Sequence, residues 1–245
     1  MEYNSNIPRK VCIQGLGFVG AAMAVAVASA TNAEKQRIYQ VIGVDRSTVE
    51  GIARVAAINQ GVFPFPTSDR QLKSALIAAS AAGNLRATTD ESVYESADIV
   101  VIDIPLDIPF LTNEPQLDMT EFEDAVRTVF SKVPSGALVL VETTVPPGTC
   151  EKIVTPIMHS ELRRRDMDEN SVHLAHSFER VMPGDAYLDS IVNFWRVYAG
   201  NTTTAADACE TFLTTIIDVK NFLLSRLSSM TASETTKVME NTYRA

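Results

Sequence analysis

The feature that most constrains the fold is the glycine pattern GLGFVG at residues 15–20. It follows the short apolar run Lys10–Gln14 and precedes the alanine-rich run Ala21–Ala30. An apolar run that ends at glycine predicts a buried strand, and small side chains predict a helix that packs close to a sheet. A strand, a glycine turn and a helix in this order are typical of a Rossmann-type dinucleotide-binding domain.

The residues of this loop have separate physical roles. Gly15 permits the tight turn, Gly17 lets the backbone approach a pyrophosphate, and Gly20 allows the helix to pack closely on the strand. The helix is expected to begin near Phe18, and its positive N-terminal end attracts the phosphates. We therefore predict that Gly15, Gly17, Phe18, Val19 and Gly20 bind the cofactor.

Strands and helices are predicted to alternate along the rest of the chain. The strands are continuous apolar runs, which indicates an α/β fold with a doubly wound parallel sheet covered by helices on both faces. Residues 107–118, with Pro109 and Pro115, predict a loop. The further predicted strands are Tyr39–Val44, Leu85–Thr88, Ala97–Ile104, Ala137–Glu142, Val172–His176 and Trp195–Ala199. The predicted helices are Val49–Asn59, Gln71–Ala82, Met119–Val133, Thr149–Arg165 with a kink near Pro156, Ala205–Ile217 and Ser229–Ala245.

An acidic residue stands where the second strand ends. Asp45 follows Tyr39–Val44 and is expected to accept hydrogen bonds from the adenosine ribose hydroxyls. An ionised carboxylate there repels a 2′-phosphate, so the pattern favours NAD over NADP. The stretch between Gly20 and Asp45 is longer than usual and contains a polar insertion, Asn32–Arg37. Arg46 beside the acid could tolerate a phosphate, and both residues are predicted to contact the cofactor.

Composition excludes several other classes of protein. The 245 residues carry a formal net charge of −9, and the basic run Arg163–Arg165 is followed at once by acidic residues, so no nucleic acid is expected as a partner. Residues 1–9 are polar, and Ala21–Ala30 is too short to span a bilayer. Cys12, Cys150 and Cys209 stand far apart, which indicates a reducing compartment. We expect a cytoplasmic protein without a signal peptide or membrane segment.

A metal site is not expected. His173 and His176 lie in a predicted strand, where a spacing of three residues points to opposite faces, and no third ligand is evident. Trp195, together with Phe194 and Tyr198, is predicted to pack in the core.

Several segments together resemble the NAD-dependent nucleotide-sugar 6-dehydrogenases, the group that acts on UDP-glucose, UDP-N-acetylmannosamine and GDP-mannose. The ERVMPG form is similar to members that act on UDP-N-acetylhexosamines. The matching segments are GLGFVG, VIGVD, INQG at 58–61, ADIVVIDIP at 97–105, ETTVPPGT at 142–149, HSFERVMPG at 176–184 and SETTKVMEN at 233–241.

The resemblance implies a double oxidation. The sugar C6 hydroxyl gives a hydride to NAD, a cysteine thiolate adds to the resulting aldehyde, a second hydride leaves, and the thioester is hydrolysed to a uronic acid. By the same resemblance, Thr144 orients a water or the substrate near the nicotinamide and Pro105 belongs to the loop along the cofactor. Glu179 matches the carboxylate implicated in thioester hydrolysis, and Lys237 and Asn241 match the oxyanion-stabilising pair. Their spacing of four residues places both on one helix face.

Three departures from the family pattern are present. The motif that ends in Thr-Pro in the family reads Asp103-Ile104-Pro105 here, and Phe178 replaces a proline. No Gly-x-Cys-x-Pro segment exists in the chain. The expectation is an NAD-binding domain over 1–204 and a helical segment over 205–245 that begins a linker and forms a homodimer. The nucleotide-sugar domain with the cysteine would then lie outside a truncated chain, which alone would be inactive.

Other functions stay open at this point. One is a short hydroxyacid dehydrogenase of the 6-phosphogluconate type, and another is a stand-alone NAD-binding regulatory module. Glu179 could be a surface acid paired with Arg180, and Lys237 could be a solvated lysine. Cys150 at a helix start could carry an activated thiol.

Overall fold

The computed structural model describes residues 8–106, 117–179 and 184–244. Most of the predicted loop 107–118 and part of the ERVMPG segment lie outside these ranges. Within them, no helix is long and apolar enough to cross a membrane. The strands are β1 (Arg9–Gln14), β2 (Tyr39–Val44), β3 (Leu85–Thr88), β4 (Ile99–Ile102), β5 (Leu138–Val141), β6 (His173–Ser177), β7 (Arg196–Gly200) and β8 (Leu224–Arg226).

Helices connect the strands in the alternation that the sequence predicted. A 3₁₀ helix, Glu91–Ser96, precedes β4, and a π-helical turn, Cys150–Val154, leads into the fifth helix. The α-helices are α1 (Phe18–Ser29), α2 (Val49–Asn59), α3 (Arg70–Ala81), α4 (Thr120–Phe130), α5 (Thr155–Arg164), α6 (Tyr187–Val192), α7 (Thr203–Leu213) and α8 (Met230–Arg244).

All eight strands belong to one sheet in the order β3-β2-β1-β4-β5-β6-β7-β8. The chain leaves the edge strand β3 and returns on the other side of β1 as β4, so the strand order reverses between β1 and β4. In open α/β sheets, ligands bind beyond the carboxyl ends of the strands at this point of reversal. The predicted doubly wound α/β fold is confirmed, and the topology places the glycine loop at the expected crevice.

The sheet departs from the predicted parallel arrangement at one end. β7 pairs antiparallel with β6, whereas β8 pairs parallel with β7. β8 was not predicted, because its three residues are too few to show a strand pattern. α7 packs against β6 and β7, and β8 adds a further strand beside β7. The sheet therefore continues beyond residue 204. The domain boundary at residue 204 stays a prediction.

Apolar side chains cover both faces of the sheet. Val11 and Ile13 pack into the cluster on the side of α1 and α7, while Cys12 between them packs into the opposite cluster with α4 and α5. Successive residues of a strand point to opposite faces. Strands buried on both faces therefore have no polar positions to alternate with, which explains their continuous apolar runs.

A π-helical turn, Cys150–Val154, precedes Pro156, near which the sequence predicts a kink. Thr155 donates its backbone N–H to the Cys150 carbonyl, a wider turn than in an α-helix. Pro156 has no N–H and its ring crowds the preceding turn, so a regular helix cannot run through it. The helix widens before the proline and resumes as α5.

The prediction that Trp195 packs in the core was wrong. Trp195 lies just before β7 and is 59% exposed, whereas Tyr198 is buried. The aromatic composition of this stretch could not reveal that the strand begins one residue later, at Arg196.

Asp69 links the start of α3 to α6. Its buried carboxylate accepts the backbone N–H of Leu72 at 2.9 Å, which caps α3, and that of Leu188 at 2.8 Å, in α6. We expect Asp69→Ala to lower the free energy of unfolding by about 2–3 kcal/mol, because two buried N–H groups lose a charged acceptor. Urea denaturation measures this value. The control Asp90→Ala removes the exposed cap of the 3₁₀ helix and should cost about 1 kcal/mol or less. Equal losses of unfolding free energy in the two variants would contradict the role of Asp69 in joining α3 to α6.

Candidate cofactor-binding and active site

The glycine loop joins β1 to α1 at the carboxyl edge of the sheet. Gly15 has a positive φ of 93°, and a Cβ added there would lie 2.2 Å from the Asp103 carbonyl oxygen. A Cβ at Gly20 would lie 2.0 Å from the Gly15 carbonyl oxygen. Both positions accept glycine alone, because the obstacle is backbone that cannot move aside.

Gly17 has a different environment. A Cβ added there meets no atom within 4 Å, so the fold itself does not require glycine at this position. Gly17 is the N-cap of α1, and no side chain caps the helix. Uncapped N–H groups at a helix start attract an anion, and open space above them admits a phosphate. The loop therefore fits the pyrophosphate of a dinucleotide.

One cavity of about 310 Å³ lies between the loop and the end of β2. Asp45 reaches into it and is bound by Arg54, with Nε 2.7 Å from Oδ2 and Nη2 3.2 Å from Oδ1. The Arg46 backbone N–H also donates to Asp45, at 2.8 Å. Hydrogen bonding to Asp45 raises the pKa of Arg54. The two contacts with Arg54 fix the carboxylate in the cavity, where it can accept hydrogen bonds from ribose hydroxyls.

Sequence reasoning missed Arg54. In the sequence, Arg54 is only a basic residue nine positions after Asp45, near the middle of α2, and it belongs to no known motif. The predicted Arg46 also lines this cavity, but its side chain extends across to Glu121 of α4 at 2.7 Å. Both ends of that ion pair are exposed.

A second cavity of about 390 Å³ continues from the loop toward the ends of β4, β5 and β6. It brings Pro105, Thr144 and Glu179 together with the loop residues. Thr143, beside Thr144, accepts the Ile104 backbone N–H at 2.8 Å and so joins the ends of two neighbouring strands. The cavity fits the nicotinamide half of the cofactor, because it adjoins the pyrophosphate loop on the side away from Asp45.

Glu179, which lines this cavity, forms a largely buried ion pair with Lys237. Lys237 Nζ lies 2.6 Å from the Glu179 carbonyl oxygen and 3.2 Å from Oε2, with side-chain exposures of 8% and 12% for the lysine and the glutamate. The ammonium group also lies 5.1 Å from the centroid of the Phe178 ring. The structure thus places Lys237 away from bulk solvent, and Phe178 contributes an aromatic surface where the family pattern has proline.

Asn241 is not brought to either cavity. It follows Lys237 by one helical turn on α8, and its side chain is exposed. Its predicted role in oxyanion stabilisation stays a prediction.

Further ionisable groups lie in or next to β5, β6 and β7. Glu142, after β5, forms a fully buried ion pair with Arg196 of β7, and burial raises the pKa of Glu142. His176 contacts Ser233 of α8 at 2.8 Å, and its burial lowers the pKa to about 3, so the ring is neutral. Glu142, Arg196 and Ser233 were not predicted as part of the site.

The loop TTVPPGT is tied to α8 by a buried carboxylate. Glu234 accepts the backbone N–H of Gly148 at 2.5 Å and that of Cys150 at 2.7 Å. This contact links the segment that carries Thr144 to the helix that carries Lys237.

The three cysteines are free and buried. Burial raises the pKa of Cys12 to about 12, and it also raises the pKa of Cys150 and Cys209. The alternative of an activated Cys150 thiol at a helix start is disfavoured, because burial and the nearby Glu234 oppose formation of the thiolate. Among the described residues, no group of three or more His, Cys, Asp or Glu could hold a metal ion.

The strand order reverses at a glycine loop whose helix has no side-chain cap, and a fixed acid stands at the end of the second strand. These features together define a dinucleotide-binding protein. The sequence profile of the UDP-glucose/GDP-mannose dehydrogenase family, NAD binding domain, matches residues 9–217. The chain belongs to that family, and NAD is the cofactor of this domain. The resemblance to nucleotide-sugar dehydrogenases is thereby confirmed.

Similar proteins include a UDP-N-acetyl-D-mannosamine dehydrogenase of Pyrococcus horikoshii, 31% identical over 96% of this chain and 50% of the relative. An NDP-N-acetyl-D-galactosaminuronic acid dehydrogenase of Ralstonia nicotianae is 32% identical over 82% of this chain and 44% of the relative. The crystal structure of an NDP-N-acetyl-D-galactosaminuronic acid dehydrogenase from Methanosarcina mazei Go1 superimposes with a TM-score of 0.84 at 27% identity, covering 98% of this chain and 48% of that one. The chain spans about half the length of the relatives that it matches.

The two contrasting glycines give a test of the loop. We expect Gly17→Ala to weaken NAD binding at least tenfold, about 1.4 kcal/mol, because the methyl group occupies the space of the pyrophosphate. Its unfolding free energy should change by less than about 1 kcal/mol. Gly20→Ala, the matched variant, should instead destabilise the fold by about 2 kcal/mol or more. Calorimetric titration with NAD and urea denaturation measure both quantities, and equal NAD affinity for Gly17→Ala and the unaltered protein would contradict the assignment.

Proposed function

We propose that this chain is the NAD-binding part of a nucleotide-sugar 6-dehydrogenase that oxidises the C6 hydroxyl of a UDP-N-acetylhexosamine to a carboxylate in two hydride transfers. The observation that carries the proposal is the largely buried Glu179–Lys237 ion pair, whose glutamate lines the same cavity as Thr144 and the glycine loop. A domain that merely stored or sensed NAD would not need a buried ion pair beside the nicotinamide side of the cavity. The substrate class is supported by two relatives, the UDP-N-acetyl-D-mannosamine dehydrogenase and the NDP-N-acetyl-D-galactosaminuronic acid dehydrogenase, whose names contain N-acetylated nucleotide sugars.

Each residue of the chain then has a defined task. NAD, when bound, would supply the acceptor for the hydride that leaves the sugar carbon. Asp45 holds the adenosine ribose, Thr144 orients the reacting oxygen or a water, and Pro105 lies along the cofactor. Lys237 stabilises negative charge that develops on the substrate oxygen, since an ammonium group in a shielded site acts strongly on nearby charge. Glu179 holds Lys237 in place and assists the attack of water on the thioester.

The proposal places the cysteine nucleophile outside these 245 residues. A thiolate is needed for attack on an aldehyde, and the three thiols of the chain are buried with raised pKa values. We expect NAD to bind to the chain in calorimetry and UDP-N-acetylmannosamine to yield no NADH. Rapid NADH formation by the chain alone would contradict the assignment of the nucleophile, and absence of NAD binding would contradict the proposed function itself.

Asp45 is proposed to set the preference for NAD over NADP. In Asp45→Ala, we expect NAD affinity to fall about tenfold and the preference for NAD to shrink, because Arg54 becomes available to a 2′-phosphate. The control Arg54→Ala keeps the carboxylate and should keep the preference. Parallel titrations with NAD and NADP measure the ratio. An unchanged ratio in Asp45→Ala would show that another group discriminates.

We also propose that two copies associate through α8. The helix exposes Met239 (66%) and Tyr243 (94%), with Val238 beside them, so it offers an apolar face to a second copy. We expect light scattering after gel filtration to show a dimer that Met239→Glu weakens. Ile77→Glu, at an equally exposed apolar residue of α3, is the control and should leave the dimer intact. A monomer, or equal effects of the two variants, would contradict the role of α8.

We also propose a biosynthetic process and a cellular compartment for the protein. Nucleotide-linked uronic acids are precursors for polysaccharide biosynthesis, and we place the chain in that process. Its free cysteines are consistent with the reducing conditions of the cytoplasm.

A further inference from the structure

Asp103 is an acidic residue of the second cavity to which the proposed function gives no task. It follows β4 directly, and its backbone N–H donates to the Gln14 carbonyl at 2.9 Å. Its side-chain Oδ2 lies 3.4 Å from the position that a Cβ of Gly20 would take. The carboxyl group therefore sits against the first turn of α1, directly beneath the pyrophosphate loop.

Within residues 8–106, 117–179 and 184–244, the Asp103 carboxyl group forms no ion pair. Oδ2 is shielded from solvent and has no hydrogen-bond partner among the residues that the structure describes. Four charged groups face it from the neighbouring elements: Glu142, Glu179, Arg196 and Lys237. In the described part of the chain these four groups form two ion pairs, Glu142–Arg196 and Glu179–Lys237, so neither of the two cations is left to match a negative charge on Asp103.

The protonation state of Asp103 follows from these surroundings. Burial, and then the negative charges of Glu142 and Glu179, raise the pKa of Asp103 well above its usual value. Tyr187 of α6 is also near Asp103. Burial, and then nearby negative charges, raise the pKa of Tyr187, so its hydroxyl is uncharged at neutral pH. His176 is neutral as well. A pyrophosphate next to an ionised Asp103 would add a further repulsion, so cofactor binding favours the uncharged acid.

We propose that Asp103 contacts bound NAD as an uncharged carboxylic acid and donates a hydrogen bond to an oxygen of the pyrophosphate or the adjoining ribose. The inference rests on the proposed NAD binding and adds a proton-linked contact to it. An uncharged carboxyl group has one O–H donor, whereas the ionised form can only accept. The affinity for NAD is thus full while Asp103 is protonated and falls as the pH rises through the pKa of the free protein.

Two substitutions separate this contact from other roles of the residue. Asp103→Asn is uncharged and keeps a donor, so it should bind NAD within about threefold of the unaltered protein at pH 6. Asp103→Leu has the same number of side-chain heavy atoms, branched in the same way, but no donor, and it should bind at least tenfold more weakly, about 1.4 kcal/mol. Asp166→Asn, at an exposed site beyond α5, controls for the change in net charge. Thermal unfolding midpoints of the variants establish that each is folded.

The measurement is the NAD dissociation constant from calorimetry between pH 6 and pH 9. We expect the affinity of the unaltered protein to fall relative to Asp103→Asn as the pH rises, and that of Asp166→Asn to follow the unaltered protein. Folded Asp103→Leu that binds as tightly as the unaltered protein would overturn the contact. A constant ratio to Asp103→Asn over the pH range would overturn the proton linkage. If the unaltered protein fails to bind NAD, the proposed function fails rather than the assignment of Asp103 alone.

Discussion

The close backbone contact between the glycine loop and the end of β4 is the constraint on which the site depends. Gly15 approaches the Asp103 carbonyl so closely that a methyl group cannot be placed between them, and Gly20 approaches Gly15 in the same way. This contact sets the height of α1 above the sheet. It thereby fixes where the open N-terminus of α1 points, and both cavities are arranged around that end.

Much of the architecture could be predicted from local patterns. Strands buried on both faces are apolar runs, and the loop glycines are separated by the spacing that the turn requires. The bounds of α2, β2 and β3 agree with the prediction residue for residue. In contrast, the antiparallel pairing of β7 depends on where the chain crosses the sheet, and strand direction leaves no trace in a short apolar run.

The site was predicted unevenly for a related reason. Asp45, Thr144, Glu179 and Lys237 stand in segments with a recognisable pattern. Arg54 lies only nine residues after Asp45 but belongs to no recognisable motif, whereas the Glu142–Arg196 pair becomes visible only when distant segments are brought together. A buried arginine looks like any other arginine in a sequence, since its partner lies 54 residues away. The exposed Asn241 shows the converse, because a matching motif did not bring its side chain to the cavity.

The contact of Glu234 with the backbone of Gly148 and Cys150 has a mechanical consequence. It is a rigid link, since a buried carboxylate that accepts two backbone N–H groups resists both rotation and withdrawal. We therefore expect α8 and the TTVPPGT loop to move as one body. A force that displaces α8, such as the docking of another protein segment against its exposed side, would then reach Thr144 without passing through the sheet.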